Sequence, residues 1–171
     1  MPLVKRIANF TDLAFIYSCI LNGARKGHYL VDVDNPEMVR QMKKEIQSVI
    51  TQQLLLDKRH AVASVYTLHG TRVAALIMSA ASLDNNGDEI YAISVAREHQ
   101  NRGFGSAIID DVICSYQVTD IYARCSSAST KMSQLLKKRG FSVVATHSGF
   151  EILARNHLEP GNYAQPIYLG F

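Results

Sequence analysis

The chain lacks most of the features that would set it apart from an ordinary globular domain. Cysteine is scarce: Cys19, Cys114 and Cys125 form an odd set with no metal-ligand spacing, and they read as reduced thiols of a cytosolic protein. His60, His69, His99, His147 and His157 are scattered, so no metal site is expected. No apolar run approaches the roughly 20 residues of a membrane span, and MPLVKRIANF has no signal-peptide core. These absences lead to the expectation of a cytoplasmic protein without a membrane partner. Charge is sparse too, at 19% of residues with a net +3. No run of like charge exceeds the three residues Lys137, Lys138 and Arg139, so charge alone does not point to nucleic acid. Gly-x-Gly-x-x-Gly and Gly-x-x-x-x-Gly-Lys-Ser/Thr are both missing, which excludes the usual dinucleotide and nucleoside-triphosphate loops. There is no internal repeat, low-complexity tract or linker. What remains is a chain of 171 residues, 47% of them hydrophobic. It is expected to fold as one domain over residues 1–171 with a real core.

Periodicity divides the chain into elements. Residues 3–8 read as a strand. Thr11 or Asp12 then caps a helix with Leu13, Ile16, Tyr17, Ile20, Leu21 and Ala24 on one face. After a mixed loop, KGHYLVDVDN, Asn35 and Pro36 open a second helix carrying Met38, Met42, Ile46, Val49 and Ile50, with Glu45 interrupting the stripe. Residues 61–68 and 72–83 read as a hairpin about His69 and Gly70, and a second turn, DNNGD, leads to a strand over residues 89–95. A helix over residues 103–116 follows, with Cys114 on its apolar side, then a strand over residues 120–125. Ser126, Ser127 or Ser129 caps a helix reaching Arg139, which Gly140 ends. Strands over residues 141–145 and 150–154 precede an aromatic tail with two prolines.

The chemistry is concentrated in residues 95–106, VAREHQNRGFGS. Gln100, Arg102, Gly103 and Gly105 give Gln-x-Arg-Gly-x-Gly between a β-prone run and a helical one. Unpaired N–H groups at a helix N-terminus, together with the helix dipole, form an anion cradle. Gly103 and Gly105 remove side chains that would hold a phosphate off the backbone, and Arg102 adds a charged fork. The segment predicts a pyrophosphate-bearing ligand; read blandly, two glycines punctuate a loop.

Gln/Arg-x-x-Gly-x-Gly/Ala after a strand resembles the acyl-CoA signature of the GNAT acetyltransferase superfamily. The order of elements over about residues 3–154, and KKRGF before the last strands, match as well. The resemblance implies an α/β fold with a mixed, mostly antiparallel sheet, splayed at the acetyl-CoA site and flanked by helices. It implies acetyl-CoA as cosubstrate, with no metal. The backbone of Val95 would meet the pantetheine amides. The backbone of Gln100, Asn101, Arg102, Gly103, Phe104, Gly105 and Ser106 would hold the pyrophosphate.

The implied activity is N-acetyl transfer to a primary amine by direct attack. Glu89 stands eleven residues before Gln100, the spacing of the catalytic glutamate in histone-type members, which implies a base working through water. Equally, Glu89 follows Asp88 at a turn and reads as a solvated strand end. The resemblance calls for a tyrosine five residues before Phe141, where this chain has Leu136. Tyr122, Ser129 and Ser133 are stand-ins for the missing acid, each with an ordinary structural reading. Cys125 closes the strand beside the CoA gap and reads as packing. His28, Tyr29, Asp32 and Asp34 lie in the loop that lines the acceptor site in the family. Tyr29 and Asp32 are the candidate substrate contacts, suited to a cationic amine. An ordinary polar loop, with Asp34 and Asn35 as helix cap, explains them as well. The acceptor is a small-molecule or peptide amine. A larger amine, on a protein or an aminoacyl-tRNA, and a weakly catalytic acyl-CoA-binding regulatory module are the alternatives. The apolar tail would suit a homodimer.

Overall fold

In the computed structural model, residues 3–55, 61–80, 87–117 and 119–156 are described. Their centre is a seven-stranded sheet in the order β1-β2-β3-β4-β5-β7-β6. β1 is Val4–Ile7, β2 Ala61–Leu68, β3 Thr71–Ala80, β4 Gly87–Val95, β5 Asp120–Ser126, β6 Ser142–His147 and β7 Phe150–Arg155. Every pairing is antiparallel except β4 with β5. Helices α1 (Leu13–Ala24) and α2 (Pro36–Leu55) cover one face, and α3 (Phe104–Ser115) and α4 (Thr130–Lys137) the other. The expected mixed, mostly antiparallel α/β architecture is the one observed.

Local chemistry explains most element ends. The hairpin turn puts His69 at φ 50° and Gly70 at φ 78°, the left-handed pair that matches the twist of two antiparallel strands. Asn35 Oδ1 accepts from the N–H of Glu37 at 3.0 Å, and Pro36, which has no N–H to lose, opens α2. Gly140, at φ 84°, follows the end of α4. The start of α1 differs from expectation. Asn9 caps a short 3₁₀ turn over Phe10–Asp12, and Asp12 accepts from the Asn9 N–H at 2.9 Å, closing a capping box ahead of the α-helix.

Alternation in the strands makes two cores. Leu76, Met78, Ile90, Ala123, Cys125 and Leu153 meet Ile108, Ile109, Val112 and Leu136 on the α3/α4 side. Ala63, Val65, Ala75, Ile77 and Ala92 meet Ile16, Ile20, Met42, Ile46 and Ile50 on the other. β3, apolar in six consecutive positions, serves both. The apolar assignment of Cys114 does not hold: it is exposed, while Cys19 and Cys125 are buried. It lies two residues beyond Val112, a 200° rotation that turns it off the buried stripe.

No helix among the described residues is long and apolar enough to cross a membrane. The strand end at 81–83, turn residues 84–86 and the tail from 157 on, which carried the homodimer expectation, lie outside the described residues, as do His60 and His157.

Candidate active site

The site begins where two strands part. β4 and β5 pair over only four registers, from Gly87 with Asp120 to Ile90 with Ala123. The partner of Met78 is Ile90 and that of Ile77 is Ala92, so Tyr91 is an extra residue, a bulge at the point of divergence. Beyond it β4 stays with β3 while β5 turns to β7. A cleft of about 760 Å³ opens between them.

One edge of β4 is thereby freed. The Ala96 N–H donates to the Val73 carbonyl at 2.9 Å, so alternation points the peptide groups of Val95 and Ile93 away from β3, into the gap. The Val95 carbonyl accepts from Gln100 Nε2 at 2.9 Å, which folds the turn back onto the strand. Asn101 (φ 60°) and Gly103 (φ 80°) are both left-handed and swing the chain into α3. Gly103 is the N-cap and no side chain caps the helix, so the N–H groups of Phe104, Gly105 and Ser106 have no capping acceptor. Gln100, Asn101, Gly103, Phe104, Gly105 and Ser106 all line the cleft, whereas Arg102 is exposed and does not. His99 Nδ1, in the same wall, is buried without a hydrogen-bond partner. Open amides, an orphaned imidazole nitrogen and Lys26 and Lys131 in the lining fit an anionic ligand such as a CoA pyrophosphate.

The loop after α1 crosses the mouth of the gap. Lys26 Nζ donates to Gln100 Oε1 at 3.4 Å, and Tyr29 donates to the Ile93 carbonyl at 2.6 Å. From the other side Ser126 donates to the Gly27 carbonyl at 2.6 Å, and Ser129 Oγ lies 3.3 Å from His28 Nδ1. Four consecutive residues thus strap both banks together. Tyr29, expected as a stacking surface for substrate, uses its hydroxyl to hold β4, and burial pushes that phenol well above the usual range. Its ring lies where a Cβ on Gly23 would come within 2.4 Å of Cε2, so Gly23 makes room for it. Asp32 is exposed, outside the cleft lining, and accepts from the Asp34 N–H at 3.0 Å: a local turn contact.

Glu89 is buried and faces the α1/α2 side. Arg124 grips it through both oxygens, Nε to Oε1 at 2.7 Å and Nη2 to Oε2 at 2.9 Å. Arg124 lines the cleft and Glu89 does not. Hydrogen bonding to Glu89 raises the Arg124 guanidinium further above its usual range. Tyr91 donates to Glu45 Oε2 at 3.3 Å, which brings the polar interruption of α2 to the same side. Leu136 is buried in the core and reaches the cleft wall, so the position of the expected tyrosine is apolar in fact. Of its stand-ins, Ser129 alone lines the cleft. Ser133 donates to Glu151 at 2.9 Å, and the Tyr122 ring abuts Gly87. Burial, with Glu151 adding to it, pushes the Cys125 thiol up to about 11, which keeps it protonated and inert. Sequence reasoning missed Lys26, Lys131 and Arg124. For Arg124 a signal existed: a cation alternating with Ile121, Ala123 and Cys125 in a central strand.

No family model and no curated protein matches the chain's sequence. Solved structures do resemble it. The PaiA N-acetyltransferase of Thermoplasma acidophilum, in complex with coenzyme A, superposes with a TM-score of 0.73 at 12% identity, covering 91% of this chain and 99% of that one. The spermidine N-acetyltransferase of Vibrio cholerae, in complex with CoA and spermine, gives 0.66 at 16% identity, with 91% and 95% covered. The ribosomal-protein-S18-alanine N-acetyltransferase of Escherichia coli gives 0.66 at 15%, with 95% and 99% covered. The chain has the fold of the GNAT acetyltransferases.

Proposed function

We propose that the protein is an acetyl-CoA-dependent N-acetyltransferase that moves an acetyl group to a primary amine by direct attack. The observation that carries this is the parting of β4 and β5 beyond Ile90 and Ala123. It opens a cleft that ends on the uncapped N-terminus of α3. Coenzyme A in the Thermoplasma and Vibrio structures supports acetyl-CoA as the ligand of this cleft. Amides of Phe104, Gly105 and Ser106 would receive the pyrophosphate, and the Val95 N–H the pantetheine arm or the carbonyl oxygen as it gains charge. The neighbours act on a polyamine in one case and on a ribosomal-protein alanine in another, so a small-molecule and a protein amine are both within reach of the fold.

The test is release of free thiol from acetyl-CoA in the presence of small amines, peptides and aminoacyl acceptors. Turnover with at least one is expected. Tight acetyl-CoA binding with no turnover on any would reject the enzyme and favour the regulatory acyl-CoA module. Glu89→Gln serves as the companion variant: a loss of rate with acetyl-CoA affinity kept would mark Glu89 as a base acting through water.

A further inference from the structure

The hydrogen bonds between the strap and the β5–α4 junction have a direction. The Gly27 carbonyl can only accept, so the single proton of Ser126, 2.6 Å away, is committed to it. The 3.1 Å contact between Ser126 Oγ and Ser129 Oγ then needs Ser129 as donor. The other acceptors open to Ser129, a bare His28 Nδ1 at 3.3 Å and the His28 carbonyl at 3.4 Å, are both farther than Ser126. With its proton given to Ser126, Ser129 Oγ must accept at its 3.3 Å contact with His28 Nδ1. Nδ1 therefore carries hydrogen, and in the neutral imidazole Nε2 is bare. Ser126 and Ser129 are both buried, with Ser129 reaching the cleft wall. His28 itself is exposed and lines the cleft.

We propose that His28 is the residue that takes the proton of the acceptor amine, with Ser129 as its positioning residue; this rests on the acetyltransferase reading above. The acceptor ammonium gives one proton to His28 Nε2, which frees its lone pair. The nitrogen then bonds to the acetyl carbon, the carbon–sulfur bond breaks, and its electron pair leaves on the CoA sulfur. The second proton shed by the nitrogen neutralises that thiolate. The role expected of Glu89 passes to His28 because Arg124 engages both Glu89 oxygens and Glu89 is outside the cleft lining. The titratable and charged side chains that share the lining with His28 are Lys26 and Tyr29 on its own loop, Tyr91 on β4, His99 before α3, Arg124 and Cys125 on β5, and Lys131 on α4. No carboxylate is among them, and His99, the second imidazole of the lining, stands in the wall before α3 with its Nδ1 buried.

Two measurements test this. In the first, nitrogen NMR of the uniformly labelled protein reads the tautomer of neutral His28. The Nδ1–H form is expected, reverting to the common Nε2–H form in Ser129→Ala and kept in Ser129→Thr. An Nε2–H tautomer in the wild type overturns the proposal alone. In the second, kcat/KM is followed against pH with the best acceptor from the amine panel. His28→Gln should lose about 10²- to 10⁴-fold in kcat, the usual worth of a general base. It should also lose the acidic limb of the profile while acetyl-CoA affinity is kept. Ser129→Ala should displace that limb, and Glu89→Gln should leave it in place. An acidic limb that survives in His28→Gln and vanishes in Glu89→Gln returns the role to Glu89. A wild type silent toward every amine overturns the acetyltransferase reading and this proposal with it.

Discussion

At the scale of single residues, Asp12 shows how much one carboxylate can organise. It has no exposed side-chain surface, yet Arg6 reaches it through both Nη atoms at 2.7 Å and Arg72 through Nε at 2.6 Å. Burial works to raise its titration, but the bonds from Arg6, the Asn9 N–H and Arg72 prevail and hold it at about 2. An unfolded aspartate titrates near about 3.9. The folded value is the lower one, so the stabilisation is whole above about pH 4 and drains away as the pH falls toward 2. Asp12→Asn should cost about 3 kcal/mol at neutral pH, the low end for unpairing a buried charge, because both arginines keep water contact. Urea unfolding at pH 7 and pH 3 checks this, the gap to wild type narrowing at the lower pH. The role was hidden in the sequence. Asp12 reads there as a helix cap, which is a local property. Its partners lie 6 and 60 residues away, and only β1 pairing with β2 and β2 with β3 brings them together. The spacing of Glu89 from Gln100 is visible in the sequence for the same reason that its partner is not. The spacing lies within one segment, and Arg124 is 35 residues on.

At the scale of elements, α3 combines two demands that can be separated. Its first-turn amides favour negative charge for the helix and for a bound phosphate alike. A carboxylate built into that turn should satisfy the helix and exclude the ligand. Ser106→Asp is thus expected to leave thermal stability unchanged or raise it by about 0.3–1 kcal/mol. It should weaken CoA binding at least tenfold by calorimetry. A loss of both would mean that Ser106 supports the fold and that α3 is no anion site. Much at this scale was legible. Asn35 with Pro36, His69 with Gly70, Gly103 and Gly140 each act through backbone angles or hydrogen bonds within a few residues, which is what a sequence displays directly. The strap was not legible. Its anchors on Ile93, Gln100, Ser126 and Ser129 are 64 to 101 residues from the loop that meets them. Nor was the position of β7 between β5 and β6, since two consecutive strands can pair in either order beside a third.

At the scale of the molecule, the sheet is two halves joined along four registers, and the charge at their junction bears on what the site accepts. The net charge of the chain is only +3, but the cleft concentrates it. Lys26, Arg124 and Lys131 line it, and no aspartate or glutamate among the described residues does. Asp32 and Asp34, which in the sequence suggested a cationic acceptor, lie outside the lining, and the Asp32 carboxylate accepts from the Asp34 N–H of its own turn. Phosphates of CoA would account for part of the positive charge near α3. Arg124 stands instead on β5, on the α1/α2 side, with Nη1 making no bond to Glu89. An acceptor whose amine is accompanied by a carboxylate has a partner there, whereas an acceptor bearing further ammonium groups meets repulsion. At equal concentration, peptides or amino acids should therefore be acetylated with higher kcat/KM than spermidine. The preference should shrink as salt is raised from low ionic strength, where the Debye length is about 30 Å, to 1 M, where it is about 3 Å. Arg124→Gln should narrow the same preference at low salt. A protein that acetylates spermidine best, with no effect of salt, would show that the acceptor is read by groups outside this lining.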